Sequence, residues 1–229
     1  MDLEQRGCVF VLRLGAGENR LNPERLSSLA AGLDAVEGES GAAALVTIGS
    51  ADFYSNGYDL EWLRAQSPQA QRAFVESHER LLARLLRSTA PSVAAISGHA
   101  IGGGALVALA HDYRVMQVGR GAFWLPEIDV RIPFRPGMMA LLQARLAPDV
   151  CRDLVLAGEK LPAERAREAR VVDELADPAE LLERAIARAD ALARKDRRTW
   201  GRMKARLYGS VADALDPPTG DADQSRGSP

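Results

Sequence analysis

The sequence predicts an α/β fold in which short buried strands alternate with helices. Three observations carry that expectation. Apolar runs bounded by Pro and Gly, such as Val93–Ile96 and Ala43–Ile48, are too short for independent helices and read as buried strands. A strand, strand, helix order recurs two or three times in the first two-thirds of the chain. The remaining third is dominated by helical patterns, with Leu181, Leu182, Ile186 and Leu192 marking an amphipathic helix over Pro178–Ala193.

Taken in order, Cys8–Leu14 is a first strand and Gly15–Asn19 a turn. Asn22 and Pro23 then open a helix as cap and first residue, with Leu26, Leu29 and Leu33 on its apolar face. Ala43–Ile48 is the second strand, and Phe53–Leu60 is a loop entering a helix, which Asp59 suits as a cap. Between Gln69 and Leu86, Phe74, His78, Leu81, Leu82 and Leu85 recur at helical spacing. His111–Met116 and Gly121–Trp124 are short extended segments, continued by Leu125–Asp129. Helices are expected over Met138–Leu146, Pro148–Leu156 and Pro162–Ala169, and a basic one runs to about Val211.

Between those segments lies the stretch that organises the chain. Val93–Ile96 is followed by Gly98, then by Gly102, Gly103 and Gly104, then by an apolar helix from Ala105. Glycines at a strand-to-helix junction let backbone approach something closely, because no Cβ intervenes. The first amides of a helix have no internal acceptor and sit at its positive end, so they suit a developing negative oxygen. Close helix–sheet packing without a ligand is the alternative.

Composition narrows the function classes. The 229 residues are 47% hydrophobic, enough for one large core, and a net charge of -2 gives no reason to expect nucleic acid. No apolar run reaches membrane-spanning length. Cys8 and Cys151 make neither a disulfide framework nor a metal site, which points to a reducing compartment. His78, His99 and His111 share no ligand spacing and are expected to be packed, hydrogen-bonded residues. Asp2 and Glu4 do not fit a signal peptide, and the terminal Arg-Gly-Ser-Pro matches no peroxisomal tripeptide. The expected location is cytoplasmic, with the peroxisome as the alternative.

Three segments carry a specific resemblance. Pro91-Ser-Val-Ala-Ala-Ile-Ser-Gly-His-Ala-Ile-Gly-Gly-Gly104 is similar to the signature of the crotonase, or enoyl-CoA hydratase/isomerase, superfamily. Phe53-Tyr-Ser-Asn-Gly-Tyr-Asp-Leu60 resembles its Phe-x-x-x-Gly-x-Asp-Leu loop, in the form found in isomerases of plant type. Leu156–Ala166 resembles a downstream Leu-x-Gly segment. The resemblance implies a crotonase-like spiral of ββα repeats over residues 1–175. It also implies a helical segment over 176–215 that builds trimers or dimers of trimers; the Pro- and Gly-rich tail over 216–229 is expected to be disordered. The implied ligand is an acyl-CoA thioester, with CoA arriving as part of the substrate and no metal or redox cofactor.

The resemblance also assigns roles. The backbone amides of Asn56 and Gly103 would hold the thioester oxygen as an enolate forms, and the loop from Ser55 through Asn56, Gly57, Tyr58, Asp59 and Leu60 would bind substrate. Hydratases of this family use two Glu residues. Here Leu106 stands at the first position and Glu127 at the second. A single carboxylate suffices to move a double bond from C3 to C2, taking a proton from C2 and returning one at C4. The implied activity is that of a Δ3,Δ2-enoyl-CoA isomerase in fatty-acid β-oxidation. The alternatives are another enolate-forming member, such as a hydratase or thioesterase, and a silent acyl-CoA-binding member. Glu127 read without the family is an ordinary loop carboxylate, and Asp129 competes with it if the segment is a regular strand. Tyr54 and Tyr58 either line the channel or pack as ordinary aromatics. Arg131 and Arg135 replace a glycine-rich stretch, which alters the shape expected of the acyl pocket. Arg170 stands where relatives often have a glycine, so a left-handed residue there would be mildly strained.

Overall fold

In the computed structural model, which describes residues 2–218, β1 (Asp2–Arg6) and β2 (Val9–Arg13) form an antiparallel hairpin. The sequence gives no apolar signal for β1 because it is an edge strand with polar residues on both faces. Asn22 caps α1 (Pro23–Gly38) as expected, its side chain accepting from the Arg25 amide at 2.9 Å. β3 (Ala44–Ile48) leads to β4 (Phe53–Ser55), α2 (Leu60–Arg64) and α3 (Pro68–Arg87). β5 (Ser92–Ile96), β6 (His99–Ile101) and α4 (Gly103–Ala110) repeat that order. β7 (Tyr113–Gln117) and β8 (Phe123–Trp124) then precede α5 (Glu127–Val130), α6 (Pro136–Arg145) and α7 (Pro148–Leu156). β9 (Lys160–Leu161), α8 (Ala163–Glu168), β10 (Glu174–Ala176), α9 (Leu181–Ala193) and α10 (Arg197–Leu215) complete the path. Residues 219–229 of the tail expected to be disordered lie outside the described residues.

The strand, strand, helix order generates two sheets. Six strands run β1-β2-β3-β5-β7-β10, and four run β4-β6-β8-β9. Each of β3, β5 and β7 crosses through a tight turn into the second sheet before the chain enters helices. Glycine makes those turns possible: a methyl group on Gly98 would lie 2.1 Å from the Asp52 carbonyl oxygen, and one on Gly121 would lie 2.3 Å from the Gly98 carbonyl carbon. Successive turns of the spiral therefore stack backbone on backbone.

The interior strands β3 and β5 are buried at every residue, which is why they read as continuous apolar runs. Phe10, Leu12, Leu45, Ala94, Ile96 and Met116 face the core shared with α1, α3 and α4. Their alternates Val11, Val46, Val93 and Val115 face α9, which meets them with Ala185, Ala189 and Ala193. Small residues let that helix lie close to the sheet. The 176–215 segment thus packs on the rest of the chain, and the boundary expected at 175/176 falls inside β10, which pairs parallel with β7.

α10 is tied down by a buried ion pair. The Lys204 ammonium lies 2.9 Å from Asp112 Oδ1 and donates to the Leu85 carbonyl at 2.8 Å. Tyr54 is fully buried, bonded to Thr47 at 2.8 Å, and packs in this core; it does not line a channel. His111 is packed as expected, against Thr47 Oγ1 at 3.0 Å and the Val107 carbonyl at 2.8 Å. Arg170 adopts the left-handed conformation, with φ 58°. Among the described residues no helix is long and apolar enough to cross a membrane.

Candidate active site

Both readings of the triple glycine hold, for different residues. A methyl on Gly104 would lie 2.5 Å from Ser55 Cβ, so this glycine serves close packing of α4 on β4. Gly102, at φ 51°, turns the chain from β6 into α4. Gly103 then heads a fully buried helix, and its amide has no hydrogen-bond acceptor among the described residues.

The loop after β4 corrects the expected second donor. The Asn56 amide donates to the Glu18 carbonyl at 2.8 Å, and its side chain donates to Glu18 Oε2 at 3.0 Å. That amide is not available to a substrate. Two residues on, the Gly57 carbonyl accepts from Leu21 N at 2.7 Å and the Asp59 amide donates to the Leu21 carbonyl at 2.9 Å. Alternation along an extended segment turns the intervening Tyr58 amide to the opposite side, the side on which β4 pairs with β6. It makes no hydrogen bond among the described residues. Gly57, at φ 74°, lets the two segments meet: a methyl there would lie 2.9 Å from the Ile101 carbonyl oxygen and 3.5 Å from Gly103 N. The free pair is therefore Tyr58 and Gly103.

These amides border a cavity of about 200 Å³, whose walls include Leu60, Val75, Ile101, Leu106, Phe134 and Met138. Of the expected substrate-binding residues, Asn56, Gly57, Tyr58, Leu60 and Gly103 line it. Ser55 and Asp59 do not. The Ser55 hydroxyl is buried, donating to the Asn19 carbonyl at 2.7 Å. Asp59 caps α2, accepting from Trp62 N at 3.1 Å. Both hold the loop in shape.

Glu127 lies in the first turn of α5, at the cavity wall. A methyl on Gly102 would stand 3.0 Å from its Oε1. Its Oε2 is buried and has no hydrogen-bond partner among the described residues. Burial pushes this carboxyl up to about 7, against the pull of a backbone N–H. The segment expected to be extended is a helical turn instead. Two residues along a helix are about 200° apart, so Asp129 points elsewhere, with Oδ2 beside Gly158. It is no competitor. Arg131 ends this turn in the left-handed conformation, and Arg135 reaches the cavity wall paired with the buried Glu79 at 3.0 Å. Among the described residues no group of three or more His, Cys, Asp or Glu side chains forms a metal cluster.

A family model described as enoyl-CoA hydratase/isomerase matches residues 4–219. The chain belongs to that family. Enoyl-CoA delta isomerase 3 from Arabidopsis thaliana is 33% identical over 223 residues, covering 94% of this chain and 91% of the relative. The peroxisomal enoyl-CoA delta isomerase 2 of the same plant is 30% identical, with the same coverage of each chain. Among solved structures, an enoyl-CoA hydratase/isomerase family protein from Pseudomonas syringae superposes with TM-score 0.88 at 26% identity, covering 93% of this chain and 92% of that one. Human mitochondrial delta3-delta2-enoyl-CoA isomerase gives the same TM-score at 22% identity, with 93% and 84% covered, a likeness of fold. The crotonase fold is thus shared along nearly the whole chain.

The sequence named Tyr58 as a substrate-binding residue but did not single out its amide as the free donor, nor the Glu18 carbonyl that engages Asn56. The Tyr58 amide was legible only through Gly57, whose positive φ decides which amide faces inward. The Glu18 carbonyl that occupies Asn56 left no signal, because a main-chain acceptor can come from any residue.

Proposed function

We propose that the protein is a Δ3,Δ2-enoyl-CoA isomerase. The observation that carries this reading is the carboxylate of Glu127, its Oε2 without a partner among the described residues, facing a mostly apolar cavity in which it is the one acidic side chain of the lining. Leu106, 1% exposed, occupies the place where hydratases of the resemblance have their other acid. Without a second carboxylate, activating water and managing the α-proton together have no pair of groups to act through.

The steps follow from the residues. The thioester carbonyl of a 3-enoyl-CoA lies against the Tyr58 and Gly103 amides. Glu127 removes a proton from C2, and the negative charge spreads into a dienolate whose oxygen those amides hold. One such donor typically contributes about 2.7–4 kcal/mol to the transition state. The protonated Glu127 then delivers its proton to C4, which leaves the double bond at C2 conjugated with the carbonyl. No net proton, electron or water is consumed. A carboxyl poised near 7 both accepts and returns a proton readily at neutral pH. Leu106 and its apolar neighbours keep water from the dienolate.

CoA enters as part of the substrate, and the reading places the enzyme in fatty-acid β-oxidation. Assembly into trimers or dimers of trimers is part of the proposal; gel filtration of the purified chain tests it. The function is tested with three thioesters. Turnover of 3-enoyl-CoA to 2-enoyl-CoA supports it; hydration of 2-enoyl-CoA, hydrolysis of saturated acyl-CoA, or binding without turnover would each replace it with another member of the family.

A further inference from the structure

We infer that His78 is a positioning residue for the oxyanion site, acting through the Tyr58 side chain. The inference rests on the enolate-forming reading above.

His78 lies on the inner face of α3 and is 0% exposed. Among the described residues its one side-chain partner is the Tyr58 hydroxyl, 2.8 Å from Nδ1, and the Gly103 backbone also lies close enough to act on the ring. Its Nε2 is buried and makes no hydrogen bond among the described residues. An apolar side chain at this position would leave no such orphan, so the imidazole weakens the core it sits in. What it supplies in return is polar contact with the two residues that carry the free amides, the Tyr58 hydroxyl and the Gly103 backbone.

Tyr58 is the residue that joins the two halves of the site. Its amide is one of the free donors, and its ring lies on Gly103, whose amide is the other. A methyl on Gly103 would stand 2.7 Å from Tyr58 Cε1 and 3.0 Å from Cδ1. From there the ring reaches α3, meeting Phe74 edge-on at 5.1 Å and His78 at 5.3 Å. The hydroxyl contact with His78 fixes the far end of this lever. Rotation of the ring is blocked by Gly103 on one side and Phe74 on the other, and sliding is blocked by His78. The spacing of the two donors is thereby set from a third helix. Burial holds the imidazole down to about 3, so it stays neutral over the working range and the contact does not switch with pH.

Four variants test this: His78→Leu, His78→Asn, Tyr58→Phe and the His78→Leu/Tyr58→Phe double variant. Each is assayed for isomerisation of 3-hexenoyl-CoA, for binding of hexanoyl-CoA, and for deuterium exchange at C2 of hexanoyl-CoA. Misplacing a reacting geometry by about 1 Å costs about 100-fold, so His78→Leu should lower kcat by about 10- to 100-fold with KM and hexanoyl-CoA affinity nearly unchanged. His78→Asn, whose amide overlays Nδ1, should recover most of the loss. Tyr58→Phe should match His78→Leu, and the double variant should be no worse than either alone. A His78→Leu enzyme within about threefold of wild type in kcat, or a double variant showing the product of the two losses, overturns the inference. If His78→Leu does not fold, Tyr58→Phe decides: retained kcat overturns the inference, and a kcat loss with unchanged binding supports it. A wild type that exchanges C2 deuterium without isomerising refutes the isomerase reading alone, and the variants are then scored by exchange. A wild type that does neither refutes both.

Discussion

The Asn56 amide donates to the Glu18 carbonyl at 2.8 Å, and this bond leaves Tyr58, two residues along the loop, with the free amide that the proposed mechanism uses. Replacing single backbone amides by esters distinguishes the two. An ester at Tyr58 or Gly103 should lower kcat by about 100- to 1000-fold, the usual cost of one oxyanion donor. An ester at Asn56 should act mainly on stability, by about 0.5–1.5 kcal/mol, through the lost bond to Glu18. Single-turnover kinetics beside thermal melts of the semisynthetic proteins read both effects.

Glu127 should dominate the pH dependence of the reaction. In the proposed mechanism it acts as a base and must begin ionised. With its carboxyl pushed up to about 7 by burial, kcat/KM should fall as pH drops through about 7 and level off above it. Glu127→Gln should remove about 100- to 10,000-fold of the rate while leaving acyl-CoA binding within a few-fold, measured by calorimetry. An acid limb far below 7 in the wild type would place the base elsewhere.

The same carboxyl should destabilise the fold at high pH. Its folded value lies above the ordinary 4.5, so between 4.5 and about 7 the native state binds more protons than the unfolded state. Stability therefore falls as pH rises through that window, by roughly 3 kcal/mol in all. Below 4.5 both states are protonated and the penalty vanishes. Glu127→Gln should accordingly raise the melting temperature at pH 8 and leave it little changed at pH 4.5. A scan of urea midpoints against pH gives the comparison.

Lys204 should be structurally costly to remove. Its ammonium and the Asp112 carboxylate are 4% and 8% exposed. Lys204→Met removes the cation but leaves Asp112 buried, with the Ser92 amide at 2.8 Å and the Ser92 hydroxyl at 3.1 Å as the remaining partners of its side chain among the described residues. Losses of about 3–5 kcal/mol are typical when one member of a buried pair is removed. Asp112→Asn/Lys204→Met should recover part of that loss, read from urea unfolding.

How much of this was legible follows the physics of each segment. β3, β5 and α3 announce themselves because burial on two faces, or on one helical face, writes a pattern into the residues. β4, β6, β9 and β10 are two or three residues long and exist through the hydrogen bonds of their neighbours, so composition carries no trace of them. α5 is one turn, too short for periodicity, and its helical twist is what separates Glu127 from Asp129. Gly103 and Glu127 were reachable from the motifs and their spacing. Tyr58 was reachable as a lining residue but not as the free amide, since the choice between amides is made by Gly57 and by a carbonyl from another part of the chain. His78 was visible on the apolar face of its helix, but only the fold brings it to Tyr58.

Gly137 opens α6, and a methyl there would lie 2.5 Å from the Ala214 carbonyl oxygen and 2.7 Å from Leu215 Cα. Its neighbour Met138 forms part of the cavity wall. The final turn of α10 is thus a backstop behind the chamber: a helix far along the chain from α6 braces one wall of the cavity. Until α10 docks, a folding chain lacks the brace behind that wall.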